Sequence, residues 1–111
     1  MVYYMLLINI INRIKTINQN IRFVGEFDEN NLRNGYWEEY WDNGKILSKG
    51  SYLNGLRHGY WEFYYDNEIL ESEGNFIKGD RYGYWKFYDY YGKVSFDDNF
   101  IIIKNYSIVQ L

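Results

Sequence analysis

The sequence of 111 residues contains no cysteine and no proline. Without cysteine, a disulfide framework, a thiolate nucleophile and a zinc–thiolate site are all excluded. A chain free of cysteine fits a reducing compartment, and we expect a cytoplasmic protein. Without proline, the ten glycines must supply the unusual backbone geometry of the turns.

Long hydrophobic runs are also missing. The most apolar segment, "MVYYMLLINIINRIK" at residues 1–15, is interrupted by Asn9 and Asn12. It is too short for the ~20 residues that a bilayer span requires, and it lacks the basic start and cleavage site of a secretory signal. With Arg13, Lys15 and Arg22 it could lie on an anionic membrane surface, but three charges predict only weak attachment.

Positive charge is scarce in the body of the chain. Residues 26–100 hold all fifteen acidic residues and only eight basic ones, a net charge of −7. Nucleic-acid binding depends on a basic surface that displaces counterions from phosphates. The composition therefore argues against DNA or RNA as a partner.

Aromatic residues are abundant, at 23% of the chain, and they recur with a fixed period. The tripeptide Gly-Tyr-Trp begins at Gly35, Gly59 and Gly83, which are 24 residues apart. Other positions keep the same step: Tyr40, Tyr64 and Tyr88; Gly50 and Gly74; Tyr52, Phe76 and Phe100. We expect a repeat array over residues 21–100, with a half unit at 21–34, units at 35–58 and 59–82, and a degraded unit at 83–100 in which Asp98 replaces glycine.

Each unit is predicted to form a β-hairpin. "GYWEEYW" is typical of a strand, Asn43-Gly44 indicates a two-residue type I′ turn, and "ILSKGSY" is the returning strand. This register places Trp41 opposite Ile46 and Trp37 opposite Gly50. The next unit, turning at Asn67-Glu68, places Tyr65 opposite Leu70 and Trp61 opposite Gly74. We expect each indole to cover the glycine that it faces.

The same register predicts three charge pairs across the strands: Glu38 with Lys49, Lys86 with Asp97, and the unfavourable Glu62 with Glu73. The expected fold is all-β, an elongated antiparallel meander of six or seven short strands in a single twisted sheet.

Alternation along the strands divides this sheet into two faces. The drier face is predicted to carry Trp37, Trp41, Ile46, Tyr52, Trp61, Phe63, Tyr65, Leu70, Phe76, Trp85, Phe87, Val94, Phe96 and Phe100. The opposite face, here called the tyrosine face, carries Tyr36, Tyr40, Tyr60, Tyr64, Tyr84 and Tyr88, with charged residues between them. These tyrosines either pack on one another or form a binding surface for a partner.

The drier face must be covered. The candidates are the chain ends, with a helix over residues 3–17 (a strand is the alternative) and a strand over residues 100–109, or a second subunit. We accordingly divide the chain into an apolar cap at 1–20, the repeat array at 21–100 and a capping strand at 101–111.

The stretch from Asn34 to Tyr88, with its paired glycines, Tyr-Trp dipeptides and Asn-Gly turns, resembles the MORN repeat family in its bacterial and viral variant form. Glu68 in place of a turn glycine and Asp98 in place of a strand glycine depart from the pattern. The resemblance implies an elongated array of β-hairpins. It also implies a non-catalytic role in scaffolding, protein contact or dimerisation, with anionic-lipid binding or an antitoxin-like role as alternatives.

Residues capable of chemistry are few, and their pattern favours structural roles. His58 is the only histidine and stands in a predicted connection where other units have Asn34 and Tyr82. Neighbouring acids such as Glu38 and Glu39, or Asp97 and Asp98, point to opposite faces of a strand, and Glu71 and Glu73 lie on a solvated one. We therefore predict no catalytic residue, cofactor or metal site.

The functional expectation is a non-enzymatic repeat module that contacts a protein partner or a second copy of itself. Its predicted structural residues are Gly35, Trp37, Gly50, Gly59, Trp61, Gly74, Gly83 and Trp85. A peripheral membrane module is the alternative, together with an antitoxin-like protein that binds a toxin.

Overall fold

The computed structural model describes residues 22–101, which form one open antiparallel sheet without helices. Seven strands follow one another in chain order, each paired with the next. They are β1 (Phe23–Phe27), β2 (Arg33–Tyr40), β3 (Ile46–Leu53), β4 (Leu56–Tyr64), β5 (Leu70–Ile77), β6 (Asp80–Tyr88) and β7 (Val94–Phe100). The predicted all-β hairpin meander is confirmed. The predicted helix over residues 3–17 and all but the start of the predicted strand over 100–109 lie outside the described residues.

Two-residue turns join β3 to β4 and β5 to β6. Asn54-Gly55 connects the facing residues Leu53 and Leu56, with φ angles of 52° and 81°. Lys78-Gly79 has φ angles of 47° and 88° in the corresponding turn. Two consecutive positive φ angles define the type I′ turn, whose twist matches that of the strands it joins. The type I′ turns thus lie at the end of the sheet where β3 joins β4 and β5 joins β6. The first of them is formed by "LNGL".

The Asn43-Gly44 turn is of a different kind, and the predicted type I′ turn there is wrong. The amide of Trp41 donates to the carbonyl of Lys45 at 2.8 Å, and that of Gly44 donates to the carbonyl of Trp41 at 2.9 Å. These bonds enclose a three-residue loop that ends in a left-handed glycine, with φ of 82° at Gly44. The Asn43 side chain favours this loop because its Oδ1 accepts the Lys45 amide at 2.9 Å.

The longer loop changes the pairing beside it. Tyr40, not Trp41, pairs with Ile46, and Tyr64, not Tyr65, pairs with Leu70. A β-bulge absorbs the extra residue in each case, so the predicted register holds from Glu39–Ser48 and Phe63–Ser72 onward.

Beyond the bulges, the predicted pairs are confirmed. Trp37 faces Gly50 and Trp61 faces Gly74. The charge pairs Glu38–Lys49, Glu62–Glu73 and Lys86–Asp97 also face each other as predicted.

The indoles, however, do not cover the glycines predicted for them. A Cβ atom placed on Gly50 would lie 2.2 Å from Cδ2 of Trp61, and one on Gly25 would lie 2.1 Å from Cδ2 of Trp37. Gly74 is covered by Trp85 in the same way, at 2.3 Å. Since Gly50 has a tryptophan opposite it on both neighbouring strands, pairing alone could not decide which ring covers it. Each of these three indoles leans onto the strand before its own.

A second set of glycines explains this direction. Gly35, Gly59 and Gly83 have φ angles of 73°, 83° and 72°, and the strand register shifts beside each of them. The resulting bulges accompany a hydrogen bond from each indole to the carbonyl just after the covered glycine. Trp61 Nε1 donates to Ser51 O at 3.0 Å, with Trp37 to Glu26 and Trp85 to Asn75 at the same distance.

The core lies on this face of the sheet. Its buried hydrophobic residues are Trp37, Tyr52, Trp61, Phe76 and Trp85, all from the predicted drier face. Their rings meet edge to face at centroid distances of 5.1 to 6.2 Å, as between Tyr52 and Trp61. Val94 and Phe96, also predicted there, remain 55% and 56% exposed. They lie on β7, which is an edge strand of the described sheet and pairs there only with β6.

Candidate functional site: the tyrosine face

Three tyrosines form an exposed row across the tyrosine face. Tyr36, Tyr60 and Tyr84 lie on β2, β4 and β6, and each follows the positive-φ glycine of its strand. Their exposed fractions are 55%, 49% and 54%. Because alternate strands are about 9.5 Å apart, the rings recur across the sheet at roughly that interval. The remaining three, Tyr40, Tyr64 and Tyr88, are half-buried in a second row near the strand ends.

Carboxylates connect the two rows of tyrosines. Glu38 accepts hydrogen bonds from the hydroxyls of Tyr36 at 3.1 Å and Tyr40 at 2.9 Å. Glu73 accepts from the hydroxyls of Tyr60 and Tyr88 in the same manner. Within residues 22–101 no ring-to-ring contact joins two tyrosines of this face. Tyr36 and Tyr40, and likewise Tyr60 and Tyr88, are thus joined through a shared carboxylate, while Tyr36, Tyr60 and Tyr84 stay half-exposed.

These bonds change the acidity of both partners. The hydroxyls of Tyr60 and Tyr88 lower the pKa of the Glu73 carboxyl, because they stabilise its ionised form. In return, the bond to Glu73 raises the pKa of Tyr88 to about 12. Burial, helped by the bond to Glu38, raises the pKa of Tyr40 to about 12. At neutral pH these tyrosines are therefore neutral and the Glu73 carboxylate between them is ionised.

Lys49 supplies positive charge between the first two hairpins. Its Nζ lies 3.4 Å from Oε1 of Glu62 and 5.7 Å from the centroid of the Tyr64 ring. Tyr64 and Glu62 together raise the pKa of Lys49, so the ammonium stays charged. An ammonium over an aromatic ring is a favourable cation–π contact, which shows that this surface already accommodates one cation.

The sequence-derived chemical candidates are dispersed. Glu38 and Glu39 point to opposite faces as predicted: Glu38 bonds tyrosine hydroxyls, whereas Glu39 lies 3.6 Å from Arg33 on the drier face. Asp97 accepts the hydroxyl of Tyr84. His58 lies in β4 opposite Ser51, so its predicted place in a connection is wrong.

Sequence reasoning missed three arginines. Arg33, Arg57 and Arg81 place their guanidinium carbons 4.5, 4.9 and 4.8 Å from the ring centroids of Trp37, Trp61 and Trp85. Each of these three indoles thus packs between a glycine and an arginine. The 24-residue spacing of these arginines was the signal that could have revealed them. They lie over the indoles of the drier face, whereas the chain ends that the sequence predicted as its cover lie outside the described residues.

Known proteins add no assignment: no family model matches the chain, and no curated protein matches it. Among residues 22–101, no three His, Asp or Glu side chains are grouped to hold a metal ion. That part of the chain also has no helix long and apolar enough to cross a membrane.

Proposed function

We propose that the chain is a non-enzymatic, MORN-like repeat module that binds another protein through the tyrosine face. The observation that carries this proposal is the row of half-exposed rings at Tyr36, Tyr60 and Tyr84. Tyrosine is enriched in the energetically important centres of protein interfaces. Its ring adds apolar contact area with little conformational freedom to lose on binding.

The contrast between the two faces supports the choice of surface. On the drier face, the indoles already pack against glycines, arginines and neighbouring rings. On the tyrosine face, the hydroxyls of Tyr36, Tyr60 and Tyr84 are paired with carboxylates while these residues stay half-exposed. Such a surface needs no rearrangement of its polar groups before a partner can pack on the rings, because they are preorganised.

The non-enzymatic part of the proposal has its own support. The Glu38 and Glu73 carboxylates are partly exposed and each accepts two tyrosine hydroxyls, and the pKa of Glu73 is lowered. A general acid requires the opposite shift, which burial of a carboxyl in an apolar pocket produces. The face is thus suited to recognition more than to proton transfer.

Photo-crosslinking from within the face tests the proposal. A photoreactive phenylalanine analogue replaces Tyr60 in one variant and Tyr91, a 90% exposed turn residue, in the matched control. We expect protein adducts from position 60 that position 91 does not give. The captured protein is then purified, and its affinity for wild type is compared with that for Tyr60→Ser and Tyr91→Ser.

Sedimentation equilibrium of the chain alone distinguishes self-association from binding to another protein. A dimer that dissociates in Tyr60→Ser but not in Tyr91→Ser identifies a second copy as the partner. A monomeric chain that also gives equal adducts from both positions would remove the proposal.

A further inference from the structure

A row of charged side chains crosses the tyrosine face at right angles to the strands. Strand pairing places each member opposite the next, from β2 to β7. The members are Glu38, Lys49, Glu62, Glu73, Lys86 and Asp97. With four carboxylates and two ammonium groups, the row has a net charge of −2. Tyrosines flank it on both sides, so charge and aromatic surface lie together.

The alternation of sign fails at the centre of the row. Glu62 directly faces Glu73 across β4 and β5, and like charges in this position repel. Lys49 lies 3.4 Å from Glu62 on one side, and Lys86 faces Glu73 on the other. Two hydroxyl donors keep Glu73 ionised. The repulsion is therefore present at neutral pH, and a cation placed above this pair would relieve it.

A depression lies beside this central pair. Tyr60 and Tyr84 line its sides, Gly74 and Asn75 lie between them, and Glu73 and Lys86 complete the lining. The two rings are on alternate strands, about 9.5 Å apart. A flat group fits between rings at that separation. A cation midway between them lies within the ~6 Å of each ring centroid at which cations are attracted to aromatic rings. Lys86 faces Glu73 and Asp97 in the row, so two carboxylates offset its charge.

We infer that the tyrosine face binds an arginine-containing, flexible segment of a partner protein, with one guanidinium seated between Tyr60 and Tyr84 beside Glu73. The inference rests on the proposed function and names the chemistry of the partner. Arginine fits better than lysine because its planar guanidinium both stacks on aromatic rings and bonds a carboxylate through two N–H groups.

Charge also decides against other occupants. A nucleic acid or an anionic membrane would bring more negative charge to a row that is already negative. The same face of a second copy would place two such rows against each other. A basic segment is attracted at long range and gains contacts on arrival.

Fluorescence anisotropy of the full chain with a labelled (Arg-Ser)4 peptide tests the inference. We expect binding that weakens with salt and that is about three-fold tighter than for (Lys-Ser)4, because only the planar guanidinium both stacks on a ring and bonds a carboxylate through two N–H groups. The double variant Glu62→Gln/Glu73→Gln is expected to bind about ten-fold more weakly, since two exposed ion pairs are lost. The control, Glu29→Gln/Glu68→Gln, removes two exposed loop carboxylates and is expected to bind as wild type does.

A further variant, Tyr84→Leu, removes one wall of the depression and should lower affinity about three-fold. If the two double variants lost affinity for the peptide equally, binding would depend on net charge alone, and the inference would be overturned. Preference for (Glu-Ser)4 or for phosphatidylserine vesicles would also overturn it, the latter in favour of the membrane alternative. Absence of peptide binding, with adducts still forming at position 60, would overturn the arginine inference and leave the proposed function standing.

Discussion

Trp61 and Tyr60 are neighbours in the chain, yet they lie in opposite environments. The indole is fully buried, covers Gly50 and donates its N–H to Ser51. The phenol one residue earlier is 49% exposed and bonds a carboxylate. The same contrast holds between Trp85 and Tyr84. One tripeptide, Gly-Tyr-Trp, therefore supplies a bulge, a surface ring and a core ring, and the two faces can be altered independently.

The largest expected effect is on the drier face, from Gly50→Ala. The new methyl would lie 2.2 Å from the Trp61 ring, so the indole must leave its site. We expect a loss of about 3–5 kcal/mol in the free energy of unfolding, comparable to removal of a buried aromatic side chain. Urea denaturation followed by tryptophan fluorescence measures it.

Asp98→Ala is the matched control, because Asp98 faces Trp85 just as Gly50 faces Trp37. The residue 24 positions after Trp85 is Val109, so the sequence provides no indole to cover position 98. A change within about 0.5 kcal/mol is expected, as for an ordinary surface substitution. A similar loss at both positions would contradict the indole–glycine account.

An intermediate effect is expected from Arg57→Met. The variant keeps much of the side-chain volume but removes the cation that lies 4.9 Å from the Trp61 ring and 3.7 Å from Glu39. We expect a loss of about 1–2 kcal/mol in stability, the range for a partly desolvated cation–π contact. Lys45→Met, at an exposed loop position, should change it by less than about 0.5 kcal/mol. Equal effects from the two would show that the guanidinium does not support the indole.

Alkaline pH should lower stability through the tyrosine face, because two of its tyrosines have a raised pKa. The pKa of Tyr40 and Tyr88 is raised to about 12 in the folded sheet, whereas an unfolded tyrosine ionises near 10. The resulting stabilisation is complete below pH 10 and is lost as the pH rises towards 12, because the unfolded chain then releases protons that the folded chain retains. Urea midpoints between pH 9 and 11.5 should fall, and Tyr40→Phe/Tyr88→Phe should flatten this decline. An unchanged slope in the double variant would place the sensitivity elsewhere.

The smallest expected effect is that of Tyr60→Phe on stability. The substitution keeps the ring and removes a hydroxyl bonded to Glu73 at a half-exposed site. We expect a loss below about 1 kcal/mol, since water replaces much of the lost hydrogen bond. Thermal unfolding of this variant beside Trp61→Phe would measure the difference between the faces directly. Equal losses from the two would show that the tyrosine face is as structural as the core.

Much of this sheet could be predicted from the 24-residue period. Alternation assigned Trp61 and Tyr60 to opposite faces, and the pairing of Trp61 with Gly74 followed from counting residues back from a turn. The turn type at Asn43-Gly44 was predicted wrongly, because Asn-Gly occurs both in two-residue and in three-residue loops. Asn43 bonds the Lys45 amide and holds a three-residue loop, a contact that the dipeptide alone does not reveal.

Other features depend on contacts among three strands, so the pairing of two strands at a time does not predict them. Gly50 has tryptophans on both neighbours, and only the bulge at Gly59 explains why the ring of Trp61 covers it. The shared carboxylate at Glu73 similarly needs Tyr60 from β4 and Tyr88 from β6. The sequence of one hairpin predicts which side chains share a face of the sheet. It does not predict the contacts that join one hairpin to the next.

The backward lean of the indoles gives the sheet a polarity. Gly25, Gly50 and Gly74 are each covered by an indole from the strand that follows, so Gly50 stays uncovered until residue 61 has been synthesised. Folding during translation would then advance one hairpin at a time from the amino-terminal side. A duplication that lengthens the sheet must copy a glycine together with the tryptophan eleven or twelve residues downstream, or it leaves one of them without its counterpart.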